Sequence, residues 1–532
     1  MTIYGSMPGM GTPELPVPDG LVLRPFRGVR FAVEDPAKVT SPPYDLISDA
    51  DVDTLLHLHP NNVVRLILPR TSRPGPAHPL PPTPTLPTAH TTPAAQTIPA
   101  TDALPADEEP PPETRYAEAR DTLQTWLHAG ILVPDDHPAL YVYEQHGPHF
   151  LQRGLIGDVA LTDPGQHVIL PHEDVMPGPI ADRLALMSTT QANLEPIFLL
   201  YDGAGGPTTR LVEEVATRRR PLVSAKTEDG VTHRLWAITD ASEIATVNAD
   251  LHDRQALIAD GHHRYATYRV LQRQERLTNP PTEPSLTPSD TALRGMASGN
   301  ATPSSAGFTS SAAMPGGTAA ADPSPAPSSS TDDDLHEPPS TTLVAPWDFG
   351  LALLVDSTAY PPDLKAIHRV IPSLPLAKAA AQARQSWRVQ EFGALAEGLT
   401  AFENSPDPAF LLADATGAYL ITDPDPVQLA RAMPADHSDR WNSLNTSILS
   451  EFILPKVWGM RDDEQAVRIV HHDIEAAAEL ATSTGGTAVI LKPLATEDVL
   501  AVAAGGERVP RKSTSFGPKP RTGLVLRTFA IN

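Results

Sequence analysis

Hydrophobic and polar positions along residues 257–271, LIADGHHRYATYRVL, predict a buried strand, a tight turn and a helix. The strand ends in three apolar residues, and the helix begins near His262 and continues to about Glu275. Apolar positions at helical spacing predict its inner face at Ala266, Val270 and Leu277. Gly261 can take backbone angles closed to other residues, which suits a tight turn that a ligand approaches closely.

The same kinds of pattern predict further strands and helices along the chain. Apolar or alternating runs predict strands at VVRLILP, ALYVYEQH, QRGLIGDVAL, PIFLLY, THRLWAIT and PWDFGLALLVD. Helical spacing predicts helices at residues 113–128 and 241–253. Together these elements predict an α+β fold, with mixed sheets and helices packed against them.

Two long stretches have the composition of disordered segments. Residues 72–112 are mainly Pro, Thr, Ala and acidic residues, and residues 278–340 are rich in Ser, Thr, Ala, Pro, Gly and Asp. Neither can bury enough apolar surface to offset the entropy lost on ordering, so both are predicted to be disordered. The predicted ordered parts are an N-terminal region at 21–71 and 113–277 and a C-terminal α+β region at 341–532.

Composition and charge exclude several classes of protein. The 532 residues carry a net charge of −24, which does not suit a protein that coats nucleic acid. The chain has no cysteine, so disulfides, thiolate zinc sites and cysteine nucleophiles are excluded. No apolar run approaches the ~20 residues of a membrane-spanning helix, and the N-terminus lacks the pattern of a secretory signal. We expect a cytoplasmic protein with neither a nucleic-acid nor a membrane partner.

The start of the helix after Gly261 has the chemistry of a phosphate site. His262, His263 and Arg264 lie where the backbone N–H groups and the positive end of the helix dipole already point. Cations at that end of a helix are unfavourable by roughly 0.3–1 kcal/mol each, and they become favourable when an anion is bound there. The alternative is that Asp260 caps the helix and the basic residues are solvated or paired with nearby carboxylates.

A basic loop near the C-terminus is the second feature that suits phosphate. Five basic residues cluster within fourteen positions of an otherwise acidic chain, namely Arg508, Arg511, Lys512, Lys519 and Arg521. Ser513 and Thr514 add hydroxyl donors, and lysine, arginine and hydroxyls together suit a polyphosphate. The alternative is a solvated basic turn that offsets local acidity.

Phosphoryl transfer also needs a carboxylate that neutralises charge or accepts a proton. The candidate carboxylates are Asp45, Glu173, Asp182, Glu195 and Asp260. Each is also of a type that commonly caps a helix or forms a surface ion pair. His262 and His263 are consecutive and lie about 100° apart on a helix, so they do not readily chelate one metal together. The chain contains no P-loop, GxGxxG or HExxH motif.

A series of motifs occurs in a characteristic order along the chain. They are SPPYDLIS, HPNNVVRLILP, RGLIGDV, THRLWAI, IADGHHRYATY, IHRVI and RKSTSFGPKPRTGL. With these motifs the chain resembles the family known as domain of unknown function 1015, apart from residues 1–20 and the two low-complexity stretches. The departures from the family pattern are Asn445, Ser450, Val509, Ser515 and Gly517. The family itself implies no activity.

The DGHHR segment is similar to the phosphate-binding turn of the ParB/sulfiredoxin superfamily, which includes free-serine kinases. The similarity implies a ParB/sulfiredoxin-like nucleotide-binding unit in the N-terminal region. It implies that four residues hold nucleotide phosphates, namely Gly261, His262, His263 and Arg264. It also implies that a nearby carboxylate activates an acceptor hydroxyl, with Glu173 as the first choice and Asp45 as the second.

These features favour magnesium-dependent phosphoryl transfer from ATP or another nucleotide to a small hydroxylated metabolite, with serine as the first candidate. The predicted catalytic residues are Glu173, Asp45 and His263, and Asp260 is the predicted metal ligand. The predicted nucleotide-binding residues are Asp260, Gly261, His262, Arg264, Lys512, Ser513, Thr514, Lys519, His368 and Arg369. The alternatives are a nucleotide-binding switch or adaptor without turnover and a metal-dependent hydrolase that uses the histidines. If both basic segments bind the same phosphates, Lys512 should lie near Gly261.

Overall fold

The computed structural model describes residues 15–70, 113–279, 345–463 and 465–531. The predicted disordered segments lie outside these residues, except for the first two positions of the second segment. The chain divides into two compact units. One comprises Val17–Gln274 and Ala345–Asn532. The other comprises Met1–Pro16 and Glu275–Val344, in which the described residues include the last turn of a helix.

The described residues form 21 strands, most of them short. Numbered along the chain, they are β1 Leu23–Arg24, β2 Val29–Phe31, β3 Leu132–Pro134, β4 Leu140–His146, β5 Leu151–Ala160, β6 Ile169–Leu170, β7 Ala192–Asn193, β8 Ile197–Tyr201, β9 Val223–Lys226, β10 Thr232–Ile238, β11 Ala256–Asp260, β12 Phe349–Asp356, β13 Asp363–Lys365, β14 Ile367–Ile371, β15 Arg388–Phe392, β16 Phe410–Asp414, β17 Gly417–Thr422, β18 Arg468–His471, β19 Thr487–Ile490, β20 Ser515–Gly517 and β21 Arg527–Thr528.

Helices connect and cover these strands. The α-helices among the described residues are Asp49–Leu58, Val64–Ile67, Glu113–His128, Pro177–Thr190, Pro207–Arg218, Ala241–Leu251, His262–Thr278, Leu376–Ala383, Leu395–Glu403, Pro426–Ala432, Asp439–Ser443, Asn445–Ile448, Ile474–Ser483 and Thr496–Ala504. A π-helix, Leu449–Val457, continues directly from the α-helix that ends at Ile448.

Nine of the described strands form one mixed sheet, in the order β6–β11–β8–β12–β5–β4–β10–β9 with β1 pairing with β5. β8 runs antiparallel to β11 and parallel to β12. β8 and β12 have the sequences IFLLY and FGLALLVD, which are apolar up to Asp356, because both faces of the sheet are covered. Along β8, Ile197 and Leu199 pack into one hydrophobic cluster, while Phe198 and Leu200 pack into another.

Six strands form a second sheet, which is antiparallel, in the order β15–β17–β16–β19–β14–β18. One hydrophobic cluster on this sheet includes Trp387 and Phe452, and another includes Phe402 and Ala477. β14 carries the predicted residues His368 and Arg369, and its neighbour β18 forms the edge of the sheet. Arg369 on β14 contacts the backbone of the basic loop at residues 508–521, called the C-terminal loop below, so this edge of the sheet lies beside it.

The C-terminal part of the chain completes structure that the N-terminal part begins. β12 follows the predicted linker, yet it lies inside the first sheet between β8 and β5. The last strand, β21, pairs with β7, and β20 pairs with β13. The boundary predicted at residues 278–340 therefore does not separate two independent sheets.

The segment VVRLILP, predicted as a strand, contains the short helix Val64–Ile67. Asn62 explains the difference. Its Oδ1 accepts the backbone N–H of Val64 at 3.0 Å, and its Nδ2 donates to the carbonyl oxygens of Lys38 and Thr40 at 2.8 and 3.1 Å. These side-chain hydrogen bonds start a helical turn and override the strand preference of the two valines.

In the helix His262–Thr278, the residues that face the core differ from those predicted. The three predicted inner positions are half-buried or exposed, namely Ala266, Val270 and Leu277. The side chains that pack into the core are Tyr265, Tyr268 and Leu271. The hydroxyl of Tyr265 donates to the carbonyl oxygen of Thr162 at 3.0 Å. A tyrosine buries its ring once its hydroxyl finds such a partner, so counting only aliphatic positions selected the wrong face.

The fold is α+β, with mixed sheets and packed helices as the sequence predicts. No helix in the described ranges is both long enough and apolar enough to cross a membrane. The end of β11, the edge of the second sheet and the C-terminal loop come together at one place. The candidate site lies there.

Candidate functional site

The predicted turn lies between β11 and the helix that follows it. β11 ends at Asp260, Gly261 has a φ of +94°, and the helix begins at His262. A Cβ atom on Gly261 would lie 2.9 Å from Cγ2 of Ile197, so both the backbone angle and the available space require glycine. The N–H groups of the first helical turn have no carbonyl partner within the helix, and they can bind an anion.

The C-terminal loop contacts this turn through Lys519. Its Nζ lies 2.6 Å from Oδ1 of Asp260 and 2.5 Å from Oδ2 of Asp45. Burial acts to lower the pKa of Lys519, but Asp260 and Asp45 raise it above its ordinary value. Burial acts to raise the pKa of Asp45, while Lys519, Arg264 and Lys512 bring it below its ordinary value. The two basic segments therefore meet at Asp260, and the ion pair with Lys519 favours the ionised form of Asp45.

Two prolines and a buried carboxylate position Asp45. Residues 42–43 are prolines, and a 3₁₀ turn begins at Tyr44. The backbone N–H of Tyr44 donates to Oε1 of Glu195 at 3.0 Å, and the hydroxyl of Thr522 donates to the same oxygen at 3.2 Å. Glu195, a candidate base in the sequence, therefore anchors the backbone that carries Asp45.

Arg264 points into the protein. It is 4% exposed, its Nη2 lies 2.5 Å from Oδ2 of Asp260, and its Nη1 donates to the carbonyl oxygen of Pro196 at 2.6 Å. Burial acts to lower the pKa of the guanidinium, but Glu195, Asp260 and Asp45 raise it above its ordinary value. Both terminal nitrogens have protein partners, so Arg264 holds Asp260 in place and does not present a free pair of donors to phosphate. The alternative considered from the sequence, pairing with a nearby carboxylate, describes this residue.

His262 and His263 have different partners. Nε2 of His262 accepts the backbone N–H of His172 at 3.4 Å, and burial lowers the pKa of His262 well below 6.5. Nε2 of His263 accepts the backbone N–H of Met176 at 3.0 Å. Burial, and after it Lys512, lowers the pKa of His263, so its ring is neutral at pH 7. A neutral ring that accepts at Nε2 carries its proton on Nδ1, so His263 offers one N–H donor.

A hydroxyl of the C-terminal loop connects the first-choice base to a buried histidine. Oγ1 of Thr514 donates to Oε1 of Glu173 at 2.9 Å and lies 2.8 Å from Nε2 of His172. Burial raises the pKa of Glu173 above its ordinary value, against the opposing effects of Lys512 and Thr514. Burial lowers the pKa of His172 to about 3, so its ring is neutral. Glu173 is thus an oriented carboxylate of raised proton affinity, as a general base requires.

Lys512 is the exposed cation of the site. Its backbone has a left-handed φ of 53°, and Arg369 holds this conformation. Nη2 of Arg369 donates to the carbonyl oxygens of Arg511 and Lys512, both at 2.9 Å. Arg369 is 1% exposed, and burial lowers its pKa to about 10. Arg369, predicted to contact the nucleotide, therefore acts on the backbone that presents Lys512.

Two other predicted nucleotide ligands are engaged inside the protein. The hydroxyl of Ser513 donates to the carbonyl oxygen of Pro510 at 2.6 Å, and the residue is 3% exposed. Nδ1 of His368 accepts the backbone N–H of Leu491 at 3.3 Å, and burial lowers the pKa of this ring to about 4. Both side chains stabilise the backbone around the site, and neither is placed as a phosphate ligand.

The residues present do not fit a resident magnesium ion. The described part of the chain contains no group of three or more His, Asp or Glu side chains that could hold a metal. Asp260, the predicted ligand, has one oxygen paired with Lys519 and the other with Arg264. Magnesium needs carboxylate oxygens that are free to coordinate it, and the ammonium of Lys519 already bridges Asp45 and Asp260.

From the sequence, His471 at a strand end is a surface residue or a metal ligand and not part of the phosphate site, and Arg508 is part of the basic loop. Burial and then Lys512 and Lys519 lower the pKa of His471, while Asp45 raises it, so this ring lies in the field of the site charges. The pairing of β18 with β14 brings His471 there, and that pairing leaves no local signal in the sequence. Arg508 belongs to the C-terminal loop that was predicted to bind phosphate. Its Nη1 donates to the carbonyl oxygen of Glu173 at 2.8 Å.

A family model described as "Protein of unknown function (DUF1015)" matches residues 23–79 and 98–296. The match covers 256 of the 532 residues, just under half of the chain, and the chain resembles this family over that part. The match ends at residue 296. The strand–turn–helix unit of the site lies within the matched region, and the C-terminal loop lies beyond it. No curated protein matches the sequence.

Several solved structures are similar to the chain at low identity. SbnI with a C-terminal truncation, from Staphylococcus aureus, is 9% identical with a TM-score of 0.32, over 70% of this chain and 88% of that one. A free serine kinase in complex with AMP is 11% identical with a TM-score of 0.28, over 69% and 90% of the two chains. A conserved hypothetical protein from Pyrococcus furiosus is 11% identical with a TM-score of 0.29, over 69% and 94%. At these TM-scores the likenesses carry no argument about the function of this chain.

Proposed function

We propose that this chain binds a nucleotide and transfers its terminal phosphoryl group to a small hydroxylated metabolite, with serine as the first candidate. The observation that carries the proposal is the placement of Glu173, which Thr514 orients and which lies in the field of Lys512. Glu173 and Lys512 act beside the start of the helix, because Lys512 also lowers the pKa of His262, the first residue of that helix. An oriented base, an exposed cation and a helix N-terminus are what phosphoryl transfer to a hydroxyl uses.

The nucleotide phosphates bind at the start of the helix. The N–H groups of residues 262–264 and the helix dipole attract an anion, and the resemblance of DGHHR to the ParB/sulfiredoxin phosphate turn supports this assignment. Lys512 supplies a positive charge that stabilises the phosphoryl oxygens during transfer. His263 donates its Nδ1 proton to a phosphate oxygen. Magnesium arrives with the nucleotide as part of the substrate.

Glu173 accepts the proton of the acceptor hydroxyl as the hydroxyl oxygen attacks the terminal phosphorus. Its raised pKa makes it the better base of the two carboxylates first considered. Asp45 has a lowered pKa and is paired with Lys519, so it accepts a proton less readily. We therefore assign Asp45 and Asp260 to holding Lys519 and the surrounding backbone in place.

The test is turnover by the full chain with MgATP and a panel of acceptors: serine, threonine, homoserine and glycerol. We expect ADP release that depends on an acceptor, together with a phosphorylated product detected by mass spectrometry. Glu173→Gln should lower this turnover by about 10²–10⁴-fold while ATP still binds. The matched variant Asp174→Asn, in which the neighbouring exposed carboxylate is neutralised, should retain it.

The same assay distinguishes transfer from the non-catalytic alternative. Nucleotide binding without acceptor-dependent ADP release would overturn phosphoryl transfer and leave a nucleotide-binding switch as the function. Equal turnover by wild type and Glu173→Gln would remove Glu173 from the chemistry.

A further inference from the structure

A cavity of about 420 Å³ is lined in part by Tyr44, the residue before Asp45. Its walls come from the 3₁₀ turn at Tyr44, from residues 68–70 and from the start of the helix Pro177–Thr190. Ligand pockets in proteins commonly measure about 300–1,000 Å³, so the cavity can hold a flat ring system. The chemistry proposed above uses no residue of this cavity.

Two consecutive residues connect the cavity to the phosphate site. Tyr44 lines the cavity, and its ring centroid lies 4.4 Å from Cζ of Arg183 and 5.8 Å from Cζ of Arg264. The next residue, Asp45, contacts Lys519 at 2.5 Å. One residue thus lines the cavity and the next contacts the lysine that pairs with Asp260, so the cavity lies next to the proposed phosphate site.

The charged groups of the cavity form ion pairs with one another or with neighbouring carboxylates. Asp182, a candidate base in the sequence, accepts from Arg115 at 2.7 Å and from the hydroxyl of Tyr116 at 2.6 Å. Arg183 lies 2.5 Å from the other oxygen of the same carboxylate, and Arg70 pairs with Asp49 and Asp53. These paired charges leave no strong demand for a charged ligand. Asp182 is therefore part of the cavity wall and not of the phosphate site.

The remaining lining is apolar or aromatic. It includes Tyr44, Tyr116, Ile47, Leu68 and Pro179. Planar rings stack on aromatic side chains and pack against aliphatic ones, and they need only a few polar contacts at their edges. An uncharged planar ring attached to a polyphosphate fits this lining, whereas a small charged metabolite does not.

We propose that the cavity binds the base of the nucleotide whose phosphates occupy the helix start. The inference rests on the proposed function, since it needs phosphates at the site beside Lys512. It assigns the SPPYDLIS motif a role in joining the two halves of the nucleotide site. Tyr44 contacts the base or sugar, and Asp45 fixes Lys519 next to the phosphates.

The test fills the cavity and compares a nucleotide with a phosphate chain that has no base. A Cβ atom on Gly178, which lines the cavity, would meet no atom within 4 Å, so larger residues can be introduced there without a backbone clash. Gly178→Phe should weaken ATP binding by about tenfold or more, the order of a lost stacking interaction, while tripolyphosphate binds as in wild type. Gly178→Ala should leave both affinities unchanged, and so should Gly393→Phe, where a Cβ also meets no atom.

Each other outcome overturns the inference in a distinguishable way. If Gly178→Phe binds both ATP and tripolyphosphate as wild type does, the base lies elsewhere although the phosphate site stands. If the variant raises the KM of the acceptor while ATP affinity is unchanged, the cavity belongs to the acceptor. If wild type binds neither probe, the proposed function fails and the base pocket fails with it. Gly178→Leu carries the same comparison if Gly178→Phe does not unfold cooperatively.

Discussion

Lys519 and Asp260 form an ion pair, with Nζ 2.6 Å from Oδ1, that joins the last loop of the chain to the end of β11. The two side chains are 15% and 10% exposed, and the same ammonium contacts Asp45. One lysine therefore bridges two carboxylates that would otherwise repel each other, and Arg264 supplies a second positive charge to Asp260. The ion pair also explains how a chain of net charge −24 can contain a site for an anion.

Lys519→Met should destabilise the protein by about 3 kcal/mol at neutral pH, because it leaves the buried Asp260 without one of its two cations. The pKa of Asp45 is lowered in the folded state, so its pairing adds stability above the pKa of the unfolded chain. That stability is lost as the pH falls through the lower, folded pKa. The difference between variant and wild type should therefore be largest near pH 7 and shrink below about pH 4.

Urea denaturation across this pH range measures the effect of Lys519→Met. Lys226 at the end of β9 is exposed, so Lys226→Met should change the free energy of unfolding by less than about 0.5 kcal/mol at every pH. If the loss of unfolding free energy in Lys519→Met is the same at pH 7 and at pH 3.5, lost packing and not lost charge accounts for it.

Lys512→Gln should weaken binding of both ATP and tripolyphosphate by roughly ten- to a hundredfold, which corresponds to about 1.5–3 kcal/mol for a hydrogen bond to a charged group. The free energy of unfolding should change little, because this side chain is exposed. Isothermal titration calorimetry with the two ligands measures the loss, and Lys226→Gln serves as the matched control. Wild-type affinity in Lys512→Gln would remove Lys512 from the phosphate site.

The sequence indicates the turn and the basic loop because each has a local signal. Asp260 and Gly261 stand between an apolar run and a helical pattern, and Lys512 and Lys519 are basic residues in an acidic chain. If both segments bind the same phosphates, they must also lie close together in the fold. Lys519 meets Asp260 in the structure, and Lys512 acts on the histidines of the turn.

The direction in which each side chain points could not be predicted. Arg264 follows Asp260 by four residues, the spacing of a helical ion pair, but its second partner is the carbonyl oxygen of Pro196, the residue before β8. That contact exists because β8 and β11 are neighbours in the sheet. Arg369 likewise reaches the carbonyl oxygen of Lys512, 143 positions away. Residue type shows that an arginine is available, and only the fold shows whether it binds ligand or backbone.

Glu173→Gln should lower kcat for phosphoryl transfer by about 10²–10⁴-fold and leave ATP affinity unchanged, because the amide keeps the shape of the side chain but cannot accept the proton. In wild type, activity should fall as the pH drops through the pKa of Glu173. Burial raises that pKa, so the acid limb of the kcat profile should lie above the ordinary value for glutamate, about 4.3. Rates measured from pH 4 to pH 8 test this.

Two variants shift the acid limb further if Glu173 is the base. Lys512 and the hydroxyl of Thr514 both lower the pKa of Glu173, so Lys512→Gln and Thr514→Val should each move the limb to higher pH. Asp174→Asn should leave it in place. An acid limb that does not move in either variant would assign the proton transfer to another group.

Two substitutions of Arg264 test whether this residue binds phosphate or stabilises the fold. Arg264→Ala should lower the free energy of unfolding by about 3–5 kcal/mol, because it breaks a buried ion pair whose members are 5% and 10% exposed. Arg264→Lys keeps the charge but cannot reach both Asp260 and the carbonyl oxygen of Pro196, so it should cost about 1–3 kcal/mol for the group left unsatisfied.

Arg218→Ala is the matched control, because Arg218 forms an ion pair of the same spacing with Glu214 on an exposed helix face. It should change stability by no more than about 0.5 kcal/mol. Urea denaturation gives the stabilities, and calorimetry on the folded fraction gives the ATP affinities. A direct phosphate ligand would show the reverse pattern, in which Arg264→Lys retains wild-type stability and loses ATP binding. That result would mean that the guanidinium leaves Asp260 when the nucleotide binds, and it would return Arg264 to the role that the sequence predicts.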